Sequence, residues 1–147
     1  MEVQFQWTPW ARLDRDLLYA LMALRQRVFV VEQACPYQDA DGRDPAAHHL
    51  LGLRDGELVA CLRAFAPDAT GEAVIGRVVT APEVRGTGLG RPLMRAGMAR
   101  VWEEWGRCPI RIGAQAHLEG YYASVGFVVS GDPYDEDGIP HVPMRHG

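Results

Sequence analysis

The 147-residue chain contains no lysine; all fifteen of its basic residues are arginine. That absence excludes the nucleoside-triphosphate loop, whose G-x-x-x-x-G-K-[ST] pattern needs a lysine on the phosphates. Cysteine is also scarce. Cys35, Cys61 and Cys108 are too few and too scattered for a disulfide framework, and no C-x-x-C pair suggests zinc, so reduced thiols and no metal are expected. No apolar run approaches the roughly 18 residues of a spanning helix. The start, "MEVQFQWTPW", lacks the basic end and apolar middle of a secretory signal, which predicts a cytoplasmic protein with no membrane partner. A formal net charge of -4 gives no basic surface for nucleic acid, so none is expected as a partner.

What is present is a soluble composition, 23% charged and 48% apolar, at a length suited to one domain, 1–147. "VQFQW" (3–7) alternates and predicts a first strand. From Asp14, a candidate N-cap, the apolar positions Leu17, Leu21, Leu24 and Val28 mark one face of a helix. "CPYQDADGRDP" (35–45) reads as loop. "HHLLGL" and "ELVACLRAF" flank Arg54-Asp55-Gly56, a hairpin signal, and "EAVIGRVVT" (72–80) supplies a third consecutive strand. Leu93, Met94, Met98, Val101, Trp102 and Trp105 keep helical spacing. "PIRIGAQ" predicts a strand, "HLEGYYASVG" a short helix, "FVVSG" a strand and "IPHVPM" a last one. A mixed α/β fold follows: a mostly antiparallel sheet flanked by helices, with the strands ending near Thr80 and Gln115 parallel through a helical crossover.

Between Thr80 and the second long helix lies "RGTGLGRP", Arg85 to Pro92. Small residues leading into a helix let backbone N–H groups converge where the helix dipole favours an anion, usually phosphate. Gly86, Gly88 and Gly90 keep side chains out of the way, and Arg85 and Arg91 add positive charge. The dinucleotide pattern G-x-G-x-x-G would need glycine at 91, where Arg91 stands, and should follow the first strand of a doubly wound sheet.

"RGTGLG" resembles the pyrophosphate loop of the GNAT acyltransferases, and "YYASVGF" resembles that family's second signature, matched by Tyr122, Gly126 and Phe127. The strings "VFVVEQACPYQDADGRD", "GAQAHLEGYYASVGF" and "DEDGIPH" look like the ElaA-type members. The resemblance implies a GNAT fold and transfer of acetyl from acetyl-CoA to an amine of a small molecule or peptide, in a ternary complex. By position it places Val78, Val79 and Thr80 along the pantetheine arm and Arg85, Gly86, Thr87, Gly88, Leu89, Gly90 and Arg91 around the pyrophosphate. Many members carry an asparagine on the cofactor where this chain has Gln115, and the resemblance carries that contact to Gln115 and puts Tyr122 beside the cofactor as well.

Such a transfer needs a neutral amine, a held oxyanion and a proton for the leaving thiolate. A backbone N–H at Val78–Val79 suits the oxyanion. Tyr122 resembles the family's general acid, with Tyr121 read as packing and the two roles exchangeable. "IGRVVT" offers only Arg77 where some relatives carry a strand carboxylate, so the base is sought among Glu32, Asp39, Asp41, His48 and His49. Glu32, on the expectation that burial raises its pKa, and His49, as a strand imidazole, are the two named. "DADG" (39–42) and "DEDG" (135–138) lack the glycine and glutamate of a calcium loop and read as solvated turns, or as an acidic rim drawing in a cation. Cys35 is discounted as a nucleophile because the family that the chain resembles transfers directly in a ternary complex. The alternative function is a non-catalytic acyl-CoA sensor or interaction module; an oligomer no larger than a homodimer is expected.

Overall fold

An aspartate starts the first helix. In the computed structural model, which describes residues 2–147, Asp14 caps α1 (Arg15–Arg25), its Oδ1 accepting from the Leu17 N–H at 2.8 Å. Leu21 and Leu24 face the core as their spacing predicts, but the helix does not run on regularly to Val28. Residues Gln26–Glu32 form a wider π-helical turn. Each such turn takes more residues than an α turn, which rotates everything beyond it and brings Phe29, Glu32 and Gln33 to the wall of the main cavity.

Among the described residues eight strands make one sheet: β1 (Gln4–Pro9), β2 (His48–Arg54), β3 (Glu57–Phe65), β4 (Ala73–Thr80), β5 (Ile110–Gln115), β6 (Val128–Val129), β7 (Tyr134–Glu136) and β8 (Ile139–His146). Their spatial order is β1-β2-β3-β4-β5-β8-β6, with β7 folded back on β8. Asp55 and Gly56 both take positive φ, 51° and 79°, so the predicted β2–β3 hairpin closes on a tight primed turn. α2 (Gly90–Trp105) crosses from β4 to β5 and packs Leu93, Met94, Met98 and Val101 on the sheet. At Gly97 the contact is so close that a Cβ would lie 2.7 Å from Leu62 Cδ2. α3 (Glu119–Ala123) is a short helix after β5.

Two departures from expectation lie at the C-terminal end. The "FVVSG" strand shrinks to Val128–Val129, and a hairpin stands where "DEDG" reads as a solvated turn: β7 and β8 pair across Asp137-Gly138, with φ of 54° and 80°. The polar sequence "YDE" hides β7 because its residues face solvent rather than the core.

The parallel pair is real but brief. β4 and β5 pair only at Ala73–Ile110 and Val74–Arg111. Past that point they part, and β4 bulges: Gly76 lies opposite Arg63 and Val79 opposite Cys61, which leaves Arg77 and Val78 facing Leu62 alone. Arg77 sits at φ 48°, a conformation uncommon for a residue with a Cβ.

Candidate active site

The parting of β4 and β5 opens a cavity of about 500 Å³, within the range of small-molecule sites. Val78, Val79 and Thr80 line one side and Ile112, Gly113 and Gln115 the other. Arg85 and Gly90, the two ends of the glycine loop, close one end of the lining. Gly86 and Gly88 take φ of 81° and 82° with open space where a Cβ would stand. Loop geometry therefore both requires glycine and leaves room for a ligand. Thr87 steadies the loop by donating its hydroxyl proton to the Val84 carbonyl at 2.6 Å, and Leu89 is buried beneath it. Arg91 reaches across to Ser124 Oγ at 2.9 Å.

The two tyrosines of α3 separate in role. Tyr121 donates to the Gly90 carbonyl at 2.6 Å and rests its ring where a Gly90 Cβ would collide at 3.1 Å, so it ties α3 to the start of α2. Tyr122 is 7% exposed, lines the cavity, and its hydroxyl has no hydrogen-bond partner among the described residues. Burial, with Tyr121 beside it, raises its pKa, so the phenol keeps its proton. Gln115 does not stand free: its side-chain amide exchanges hydrogen bonds of 3.2 and 3.3 Å with Gln33.

The residues named as bases fare differently. His49 is fully buried, outside the cavity lining, with Nε2 3.0 Å from the Asp44 carbonyl oxygen. Desolvation lowers its pKa, leaving a neutral core imidazole that reaches no substrate. The His49 expectation is corrected on that ground. His48 stacks on Trp7 at 5.2 Å, also outside the cavity lining. Glu32 does line the cavity, but the ion pair with Arg85 (2.6 Å) lowers its pKa rather than burial raising it, which makes it a weak base.

Asp39 and Asp41 belong to no solvated turn. Arg25 of α1, 1% exposed, binds Asp39 at 2.8 Å and Asp44 at 2.6 Å; Arg63 of β3 binds Asp41 at 2.6 Å and Asp44 at 3.1 Å; Arg77 binds Asp39 at 2.8 Å. Three arginines from three elements thus clamp the 39–44 segment, and Tyr37 adds a 2.9 Å hydrogen bond to Asp39. The network fixes the cavity wall that carries Cys35 and Tyr37. It also accounts for Arg77's backbone, since the bulge aims its guanidinium at Asp39.

The remaining wall comes from the β7–β8 hairpin: Glu136, Asp137, Ile139 and His141. The sequence reading missed this group. Asp137-Gly138 carries the same hairpin signal as Asp55-Gly56, and following it would have placed Glu136 and His141 on facing strands. Among the described residues no group of three or more His, Cys, Asp or Glu could hold a metal ion, and no helix is long and apolar enough to cross a membrane.

A family model described as an acetyltransferase (GNAT) domain matches residues 22–146. The chain belongs to the GNAT acetyltransferase family. Protein ElaA of Escherichia coli is 43% identical over 145 residues, covering 97% of this chain and 95% of that protein. Its crystal structure superposes with a TM-score of 0.92 over 99% of this chain and all of that one. An acyl-CoA N-acyltransferase from Pseudomonas aeruginosa, 44% identical, gives the same TM-score over 98% of this chain and 99% of its own. The GNAT fold and the ElaA-type resemblance therefore hold, and the chain is an acyltransferase by family.

Proposed function

We propose that this GNAT protein transfers acetyl from acetyl-CoA directly to a primary amine of a small molecule or peptide. The observation that carries the reading is the cavity between the parted strands, which joins the glycine loop at one end to Tyr122 and the β4 bulge. The residues fit the donor by chemistry: the loop has positive-φ glycines, open space and flanking arginines suited to a pyrophosphate. Unpaired strand edges at Val78–Thr80 suit the amides of a pantetheine arm. The bulge at Arg77–Val78 disturbs the ladder where an N–H is needed for the oxyanion, and Tyr122 supplies the proton for the thiolate.

The direct test is release of free thiol from acetyl-CoA across a panel of primary amines. Turnover with an amine supports the enzyme; tight acetyl-CoA binding with silence across the panel supports the sensor instead. The loop's role has its own test. Gly88→Glu puts negative charge and a strained Cβ into the loop, and coenzyme A affinity by calorimetry is expected to fall on the order of 10²-fold, about 2.7 kcal/mol. Near-normal affinity would remove the pyrophosphate from this loop.

A further inference from the structure

The amine that attacks a thioester must first lose a proton; Glu32 is held ionised by Arg85 and is a weak base, and His49 lies outside the cavity lining. Two imidazoles line the cavity, His117 and, at its hairpin end, His141. His141 on β8 is 6% exposed and sits opposite Gln115 of β5 in register. Its Nδ1 lies 2.7 Å from the Ile139 carbonyl oxygen. A carbonyl only accepts, so Nδ1 donates to it, and in the neutral ring Nε2 then holds the lone pair. That Nε2 is 3.4 Å from a Glu136 carboxylate oxygen, and the Tyr134 ring stacks on the imidazole at 5.6 Å. Asp137 adds a second carboxylate to the same wall, while Cys35, across from it, is turned to the Asp137 carbonyl. His117 also lines the cavity, but it is exposed and no hydrogen bond among the described residues orients it.

The neutral imidazole and the carboxylate both accept, so an ammonium group donates to either, and once the ring holds the proton its Nε2–H pairs with Glu136. We propose that the hairpin end of the cavity receives the acceptor as a cationic primary amine, and that His141 Nε2 takes its proton while Glu136 balances the imidazolium charge. The inference rests on the acyl-transfer reading and names its acceptor class and its base. The ammonium gives one proton to His141, which passes it to solvent after the reaction. The freed nitrogen lone pair then forms the C–N bond to the acetyl carbon as the C–S bond breaks. The departing thiolate takes the Tyr122 proton, and the second proton lost by nitrogen restores the Tyr122 phenol. One proton is released per turnover.

The test compares ethylamine, an ammonium ion at neutral pH, with 2,2,2-trifluoroethylamine, which is similar in shape but largely neutral there. In His141→Gln, kcat for ethylamine is expected to fall on the order of 10²-fold while the trifluoro amine stays within about twofold of its wild-type rate. Added imidazole is expected to restore part of the ethylamine rate. Glu136→Gln, at a side chain 56% exposed and therefore harmless to folding, is expected to raise KM for ethylamine more than for its neutral analogue. Calorimetric acetyl-CoA binding that matches wild type shows that each variant is folded. Equal losses for both amines, or no loss for either, overturn the role of His141 alone. A wild-type protein that acetylates neither these amines nor any other on the panel overturns the acyl-transfer reading and this inference with it. In parallel, 1,4-diaminobutane should shift the His141 ring signals in NMR spectra of the acetyl-CoA-bound protein, and 1,4-butanediol should not. Equal shifts from both, or none, would place the amine elsewhere.

Discussion

Arg25→Met is expected to cost about 3 kcal/mol of stability at neutral pH, the low end of the ~3–5 kcal/mol typical when one partner of a buried ion pair is removed. The low end applies because neither carboxylate is wholly stranded. Asp39 keeps Arg77 at 2.8 Å, and Asp44 keeps Arg63 at 3.1 Å. In a chain of this length the loss should lower Tm by roughly 10 °C, read by thermal unfolding followed by circular dichroism. The pH dependence separates charge from packing. Burial pushes the Asp44 carboxyl up, but the hydrogen bonds and charges of Arg25 and Arg63 outweigh it and hold the pKa below its ordinary value. Its stabilisation is therefore present above the ordinary carboxylate range and is lost as pH falls below about 4. Without Arg25 the carboxyl loses its strongest partner, so its pKa rises and less of this stabilisation is left for acid to remove. The deficit should thus shrink between pH 7 and pH 4. A deficit equal at both values would assign the loss to packing of the arginine stem. Faster amide hydrogen exchange over 35–47 is expected in the same variant, because the clamp holds that segment against β3 and β4.

This clamp shows where sequence reading reaches its limit. Local patterns carry local structure: the Asp14 cap, the Asp55-Gly56 turn and the apolar face of α2 each depend on residues within a few positions. The crossover rule then gives the parallel β4–β5 pair. The partners Arg25, Asp39, Arg63 and Arg77 are 14 to 38 positions apart along the chain in the pairs they form, and no periodicity marks them. An acidic loop and three scattered arginines look like solvated charges until the sheet brings them together. His49 misleads for the same reason, since a strand histidine facing the core and one facing a cavity read alike. The glycine loop and Tyr122 were legible as a resemblance because their spacing is compact. The hairpin wall was legible in principle, but its acidic turn invites a calcium or solvent reading before a strand pair.

Tyr122→Phe is expected to lower kcat of acetyl transfer by about 10²- to 10⁴-fold, the ordinary worth of a positioned general acid. Acetyl-CoA affinity should stay within about twofold, since the ring, its burial and its edge contact with Phe127 at 6.2 Å all persist. The expectation rests on the hydroxyl's situation. It lines the cavity, it has no hydrogen-bond partner among the described residues, and its raised pKa keeps it protonated across the working pH range. A phenol in that state is a poor acid in the resting protein. It becomes useful when a thiolate forms beside it in the same dry cavity, where burial raises the thiol's pKa as well. Tyr121→Phe is the matched control. It deletes the bond to the Gly90 carbonyl and should lose about 1 kcal/mol of stability, with kcat little changed. Reversed results would exchange the two roles. Full activity in both variants would mean that the thiolate leaves without a protein proton or takes one from water. The same pair of variants separates an enzyme from a sensor, because a protein that only binds acyl-CoA needs the Tyr122 ring as packing and has no use for its hydroxyl.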